Sequence, residues 1–210
     1  MSTRPDAREE LLLAAERLVA ERGISVSLRE VAAAAGQRNN SAVAYHFGSK
    51  DDLVAAIVAR RLEAIETERV VLLATDDLEP ATAPEDRVRQ LVRVLIRPML
   101  TTPYAEGSTH YARFLEKVRD HPAVVEMPLT DDRWPAIRTV TRRLDGALGD
   151  LPAAVRRRRL AALTSVMFAL LADAERRGEI GESAQPVTEA AVVDMLVGLL
   201  TAPAGPPPRT

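Results

Sequence analysis

The stretch of this 210-residue chain richest in possible chemistry is Arg38-Asn39-Asn40-Ser41, followed closely by Tyr45, His46 and Lys50. An Asn amide can pair with two groups on one edge of adenine, and an Arg guanidinium with two acceptors of guanine. A cluster of these residue types therefore suits the reading of base edges in a DNA groove. Phenol, imidazole and ammonium groups close by suit contacts to backbone phosphates, which set register without reading sequence. A helix N-terminus adds its own unpaired amides to such a site. These groups act together only if a short helix carries them clear of the protein.

The elements that would do this follow from local signals. Residues 5–22 read as a helix with Leu11, Leu12, Ala15, Leu18 and Val19 on one stripe. Gly23 stands where a helix ends in a left-handed residue. Ser27 with Glu30 three positions later is a capping box that opens a second, short helix. Leu28, Val31, Ala32 and Ala35 give it a buried face, and the run Ala32 to Ala35 before Gly36 suits close backbone packing and a turn. A third short helix spans 41–47, with Val43 and Phe47 spaced to anchor it; Gly48 closes it. Ser49 and Asp52 open a long helix over 50–73. Two short helices joined by a tight turn and braced by a longer one form a helix-turn-helix unit.

The segment LREVAAAAGQRNNSAVAYHFGSKDDL, residues 28–53, resembles the DNA-binding signature of the TetR family of transcriptional regulators. Gly36, Tyr45-His46-Phe47 and Ser49-Lys50 stand in that signature's order. The resemblance covers about the first 60 residues; beyond them the shared features are length and an all-helical layout. It implies a ligand-responsive regulator that binds a double-stranded operator sequence-specifically, a repressor released by a small, mainly apolar effector. The DNA-contacting set that follows is Ser27, Arg38, Asn39, Asn40, Ser41, Ala44, Tyr45, His46 and Lys50. Ala44 departs from the Tyr or Asn that many members carry there, which leaves that contact to Tyr45 or Asn40. The polar turn over 37–40 is also one residue longer than the commonest form.

Composition bounds the alternatives. Apolar residues make up 47% of the chain and aromatics 3%, a mixture that favours an all-α fold. The formal net charge is −2, so any positive DNA-facing surface must be local. The chain has no cysteine, no apolar run long enough for a bilayer and no apolar N-terminal leader, which together suit the cytoplasm. His46, His110 and His121 are scattered without metal-ligand spacing, and neither phosphate-binding glycine loops nor nucleophile elbows occur. No metal, cofactor or catalytic role is expected. The run Arg156 to Arg159 points around a helix and reads as a solvated set of ion-pair donors.

About nine helices are expected in all, with the later ones over 84–100, 108–120, 132–148, 152–177 and 186–200. The organisation is a helix-turn-helix domain at 1–60, a larger helical bundle for sensing and dimerisation at 61–201, and a disordered proline-rich tail at 202–210. Palindromic half-sites call for a dimer. The last two helices are apolar on more than one side, and Leu163, Met167, Leu170, Val193, Leu196 and Leu200 are the candidate interface of a homodimer. Met99, Tyr104, His110, Tyr111, Phe114 and Trp134 are the candidate lining of an effector pocket, and an ordinary core explains them equally well. A helical enzyme, or a DNA-binding protein without an effector, are the competing readings.

Overall fold

The computed structural model describes residues 6–37, 39, 42–76, 83–105, 110–179 and 188–203, so the tail beyond residue 203 lies outside the description. Among these residues every regular element is an α-helix. Helix α1 (Ala7–Arg22) buries all five residues of its stripe. It stops at Gly23, whose φ of 84° lets its N–H turn back to the Val19 carbonyl at 2.8 Å. Helix α2 (Leu28–Ala34) opens on the expected capping box. The Ser27 hydroxyl accepts the Glu30 N–H at 3.3 Å, and the Glu30 carboxylate accepts the Ser27 N–H at 2.8 Å.

The alanine run behaves differently from its sequence reading. Ala32 is fully buried and Ala35 half-buried, but Ala33 and Ala34 face solvent. At about 100° per residue, four consecutive side chains cannot all meet one partner. Close packing of α2 therefore falls to Val31 and Ala32. Helix α3 (Ala42–Phe47) follows the turn, and α4 (Lys50–Asp76) starts on the Ser49 cap, whose hydroxyl accepts the Asp52 N–H at 3.1 Å.

Helix α4 runs unbroken through residue 60, the boundary expected from the sequence, so one rod serves both parts of the molecule. A buried ion pair locks it to α1: Arg61 Nε and Nη2 donate to the two Glu16 carboxylate oxygens at 2.8 and 2.9 Å. Helix α5 (Pro84–Ala105) continues five residues past its expected end. Its last turn is tied to α4, where Glu68 accepts the Thr102 hydroxyl at 3.0 Å.

Helix α6 (Tyr111–Lys117) lies between α1 on one side and α10 (Ala153–Glu179) on the other. Glu175 of α10 reaches its first turn and accepts the backbone N–H groups of Ala112 and Arg113 at 2.9 and 3.0 Å. Burial nevertheless pushes the Glu175 carboxyl up from its ordinary range. The segment read as a proline-marked loop forms two single-turn helices, α7 (Pro122–Val125) and α8 (Met127–Thr130). Pro122 and Pro128 preset helical φ in their first turns, but four residues are too few to leave a hydrophobic period. Helix α9 (Pro135–Ala147) packs on α4 and α5, and α11 (Glu189–Thr201) on α5 and α10. Eleven helices thus stand among the described residues where about nine were expected. No helix is long and apolar enough to cross a membrane among these residues.

Candidate nucleic-acid interface

Helix α3 is mounted by two residues and presents the others. Val43 is fully buried and Phe47 nearly so, with the Arg8 guanidinium of α1 lying 5.2 Å from the Phe47 ring centroid. The opposite face carries Ala44 and Tyr45, and Tyr45 is 86% exposed. A tyrosine standing this far into solvent gains nothing from the core, so its position needs another physical reason. Its ring meets His46 edge-on at 5.1 Å, and His46 is half-buried against the unit.

The turn before α3 is held from behind. Gly36 adopts a φ of 68°, and Gln37 donates its amide to Glu10 of α1 at 3.2 Å. Asn39 is exposed; Arg38, Asn40 and Ser41 lie outside the described residues. Gly48, at a φ of 78°, turns the chain into α4, where Lys50 is half-buried in the first turn. Ser27 is exposed, with its hydroxyl committed to the cap of α2.

The structure thus gathers Ser27, Asn39, Ala44, Tyr45, His46 and Lys50 on the two short helices and the turns around them. Glu30 stands among them, as do Asp51 and Asp52 beside Lys50. Hydrogen bonds from the Ser27 backbone N–H and hydroxyl hold the Glu30 carboxyl below the usual range, with help from Arg22 and Lys50. Arg22 lies 3.5 Å away and offsets its charge near the surface. Arg29, exposed in the first turn of α2, is a cation that the reading of the sequence overlooked. Its place opposite Leu28, Val31 and Ala32 on the helix was the available signal.

The candidate pocket residues separate. A cavity of about 470 Å³ lies within the bundle, walled by side chains of α4, α5, α6, α9 and α10 with α7 and α8 at one side. Met99 and Tyr111 line it. Phe114 is buried beside Tyr111, its ring nearly parallel at 6.3 Å, and contributes to the core behind the wall. Trp134 is buried at the N-cap of α9, and His110 sits at the α1 side with its Nε2 4.0 Å from Glu21. The Tyr104 side chain lies outside the described residues. The wall also contains Arg69, a residue not anticipated. Its signal was a cation at the apolar spacing Leu62, Ile65, Arg69, Leu73 of α4.

The six candidate dimer residues are placed mostly inward. Leu163, Met167, Val193, Leu196 and Leu200 are buried within the single chain, and Leu170 is half-buried. Helices that are apolar on several sides satisfy their own bundle first. Of the arginine run, Arg156 pairs with Asp145 at 2.7 Å, Arg159 donates to the Leu200 carbonyl at the end of α11, and Arg157 and Arg158 are exposed.

Residues 11–57 match the family model described as bacterial regulatory proteins, tetR family. No curated protein matches the chain. Among solved structures, the multidrug binding protein EbrR, complexed with imidazole, is similar at 21% identity, covering 96% of this chain and 98% of its own, with a TM-score of 0.47. A protein from Rhodococcus sp. assigned to the TetR-family transcriptional regulators is similar at 18% identity, covering 93% and 97%, with a TM-score of 0.48. The matched segment spans α1, α2, α3 and the start of α4, the elements that mount Tyr45. The N-terminal unit of this chain, residues 11–57, is thus similar to that of the tetR family of bacterial regulatory proteins.

Proposed function

We propose that the chain is a homodimeric, non-catalytic transcriptional repressor of the cytoplasm that inserts α3 into the major groove of an operator and leaves it when a small, mainly apolar effector fills the bundle cavity. The observation that carries this reading is Tyr45, held 86% exposed on a helix whose other face is clamped by Val43 and Phe47. Asn39 and Ala44 lie beside it for the bases, and Lys50, His46 and Arg29 supply donors for phosphates. Arg38, Asn40 and Ser41 complete the base-reading set of this proposal.

The outward sides of α10 and α11 support pairing with a second copy. Ala169 is exposed on α10, and Ala191, Met195 and Gly198 on α11. Small residues let helices approach closely, while Met195, 47% exposed, adds apolar surface that pairing would cover. Leu163, Met167, Val193, Leu196 and Leu200 then back this interface from the core side. Release by an effector draws on α4. The same rod contributes Val58, Leu62 and Ile65 to the cavity wall and begins two residues after α3 ends, so a shift of its wall segment moves α3.

The test selects bound sequences from random duplex DNA and compares the full chain with Tyr45→Ala and Lys50→Ala. Both variants are expected to unfold at the parent temperature and to bind at least about tenfold more weakly. Lys50→Ala should also reduce the slope of log affinity against log salt by about 0.9, the value of one phosphate contact. Undiminished affinity in Tyr45→Ala would sink the assignment of α3 to the groove. Repression is checked separately, by transcription from the selected site with and without the protein.

A further inference from the structure

We infer that the ligand of the bundle cavity has an apolar body and one anionic head, a carboxylate, and that Arg69 receives that head. This rests on the reading of the cavity as the effector site.

Arg69 is 2% exposed and is among the residues that line the cavity. A buried guanidinium needs acceptors for its five N–H groups and an opposite charge. Its Nη1 donates to Glu66 at 3.0 Å, yet its Nε has no hydrogen-bond partner. Buried donors in native proteins are nearly always satisfied, so an orphan in a cavity wall points to a group that fills the place.

The charge account leads the same way. Glu66 does not serve Arg69 alone: its other oxygen accepts the backbone N–H groups of Ala136 and Ile137, in the first turn of α9. The amides and dipole of that turn therefore share in neutralising Glu66. Glu66 thus cancels the charge of Arg69 only in part, with Glu68 adding a weaker attraction. Burial accordingly pulls its pKa down, against the opposing pull of Glu66. Arg119, half-exposed at the cavity, adds a second cation whose Nε is 3.6 Å from the fully exposed Asp120.

Asp120, paired with Arg119, and the hydroxyl residues Tyr111, Thr141, Thr164 and Ser165 also line it, and the rest of the wall is hydrocarbon, with Leu62, Ile65, Leu95, Met99, Leu144 and Phe168 among its residues. At about 470 Å³ the space falls inside the ~300–1,000 Å³ usual for small-molecule sites. A wholly apolar occupant would leave the Nε–H of Arg69 dry and unpaired, and a cationic head would be repelled by it. A carboxylate answers both the missing acceptor and the residual charge, and charge-assisted hydrogen bonds to guanidinium groups are the strong ones.

The experiment titrates the full chain calorimetrically with three molecules of one body and different heads: decanoate, decanol and decylamine. Decanoate is expected to bind at least tenfold more tightly than decanol, and decylamine not at all. Equal affinities for decanoate and decanol, or no binding by any of the three, overturn the inference. A Glu66→Gln, Arg69→Met pair locates the head. The Gln keeps an acceptor for the first turn of α9, and no buried charge is left without its partner. In that double variant decanoate should fall to the affinity of decanol, while decanol is unchanged; an undiminished preference for decanoate overturns the role of Arg69. Operator release is read in the same samples. Decanoate that binds without releasing DNA leaves the anionic head standing and removes the effector reading. Release by decanol equal to that by decanoate does the reverse.

Discussion

Between Phe47 and Lys50 the chain has two residues in which to end one helix and start another, and Gly48 takes the sharper share with a φ of 78°. An L side chain in this left-handed region costs roughly 1–2 kcal/mol. A Cβ at Gly48 would stand 3.4 Å from the Asp52 carboxylate, ordinary contact, so the penalty there is one of backbone strain rather than of collision. Gly48→Ala is expected to lower stability in urea unfolding by about 1–2 kcal/mol. Because the same turn aims α3, it should weaken DNA binding beyond what the stability loss explains. A variant of normal stability and normal affinity would show that the turn tolerates a side chain. Phe47, one residue earlier, fails differently: its ring is core, and removing it would leave a cavity under α3.

At the scale of elements, the helices of the N-terminal unit depend on their caps. Helix α2 has only seven residues, too short to persist on propensity alone, and the Ser27–Glu30 box supplies partners for donors at its start. Ser27→Ala is expected to cost about 1 kcal/mol in thermal unfolding. The carboxyl of Glu30 is held below its ordinary range, so the sign of its pH dependence is set. Its contribution is complete above the unfolded carboxylate range and is lost as pH falls through the lowered folded value. Stability measured against pH should therefore decline more steeply below about pH 4.3 in the parent than in Ser27→Ala. Parallel curves would remove the cap from the account. The buried Arg61–Glu16 pair joins α4 to α1 by another logic. Two charges with 1% and 3% exposure contribute a fixed register between helices, since desolvation offsets much of their attraction.

Across the whole molecule, the N-terminal unit and the bundle share one continuous core and are joined by more than one route. Helix α4 runs from the turn after α3 to the wall holding Arg69, and α6 packs on α1 while its Tyr111 lines the cavity. A third contact is His121 at the start of α7. Its Nδ1 accepts the Ala123 N–H at 3.1 Å, and its Nε2 lies 3.4 Å from Asp51 in the first turn of α4. The proposed dimer belongs to this scale too, since operator binding of that kind needs two recognition helices about 34 Å apart on one DNA face. Met195→Glu places a charge on the exposed side of α11 without touching the core residues beneath. It is expected to give a monomer by light scattering, with unchanged helical circular dichroism and DNA affinity reduced more than about tenfold. A dimer of parent stability would place the interface elsewhere.

Much of this architecture was legible along the chain because its signals act between near neighbours. Ser27 with Glu30, Ser49 with Asp52, and the glycines at 23, 36 and 48 fall where the helices start and stop, since a cap or a left-handed turn involves only a few successive residues. The tetR-type unit was readable for the same reason: it is compact in sequence, and its Val43 and Phe47 anchors are one helical turn apart. What tertiary structure alone decided was which apolar residue meets which neighbour. Leu163, Met167 and Leu196 could cover a partner or a core, and the packing of α10 and α11 against α5 and α6 assigned them to the core. Met99 and Tyr111 border the cavity while Phe114 and Trp134 do not, although all four are apolar residues on adjacent helices. Arg69 gains its meaning only where five helices leave a space beside it. A helical period names the inward face of one rod; it carries no information on the gap that several rods leave between them.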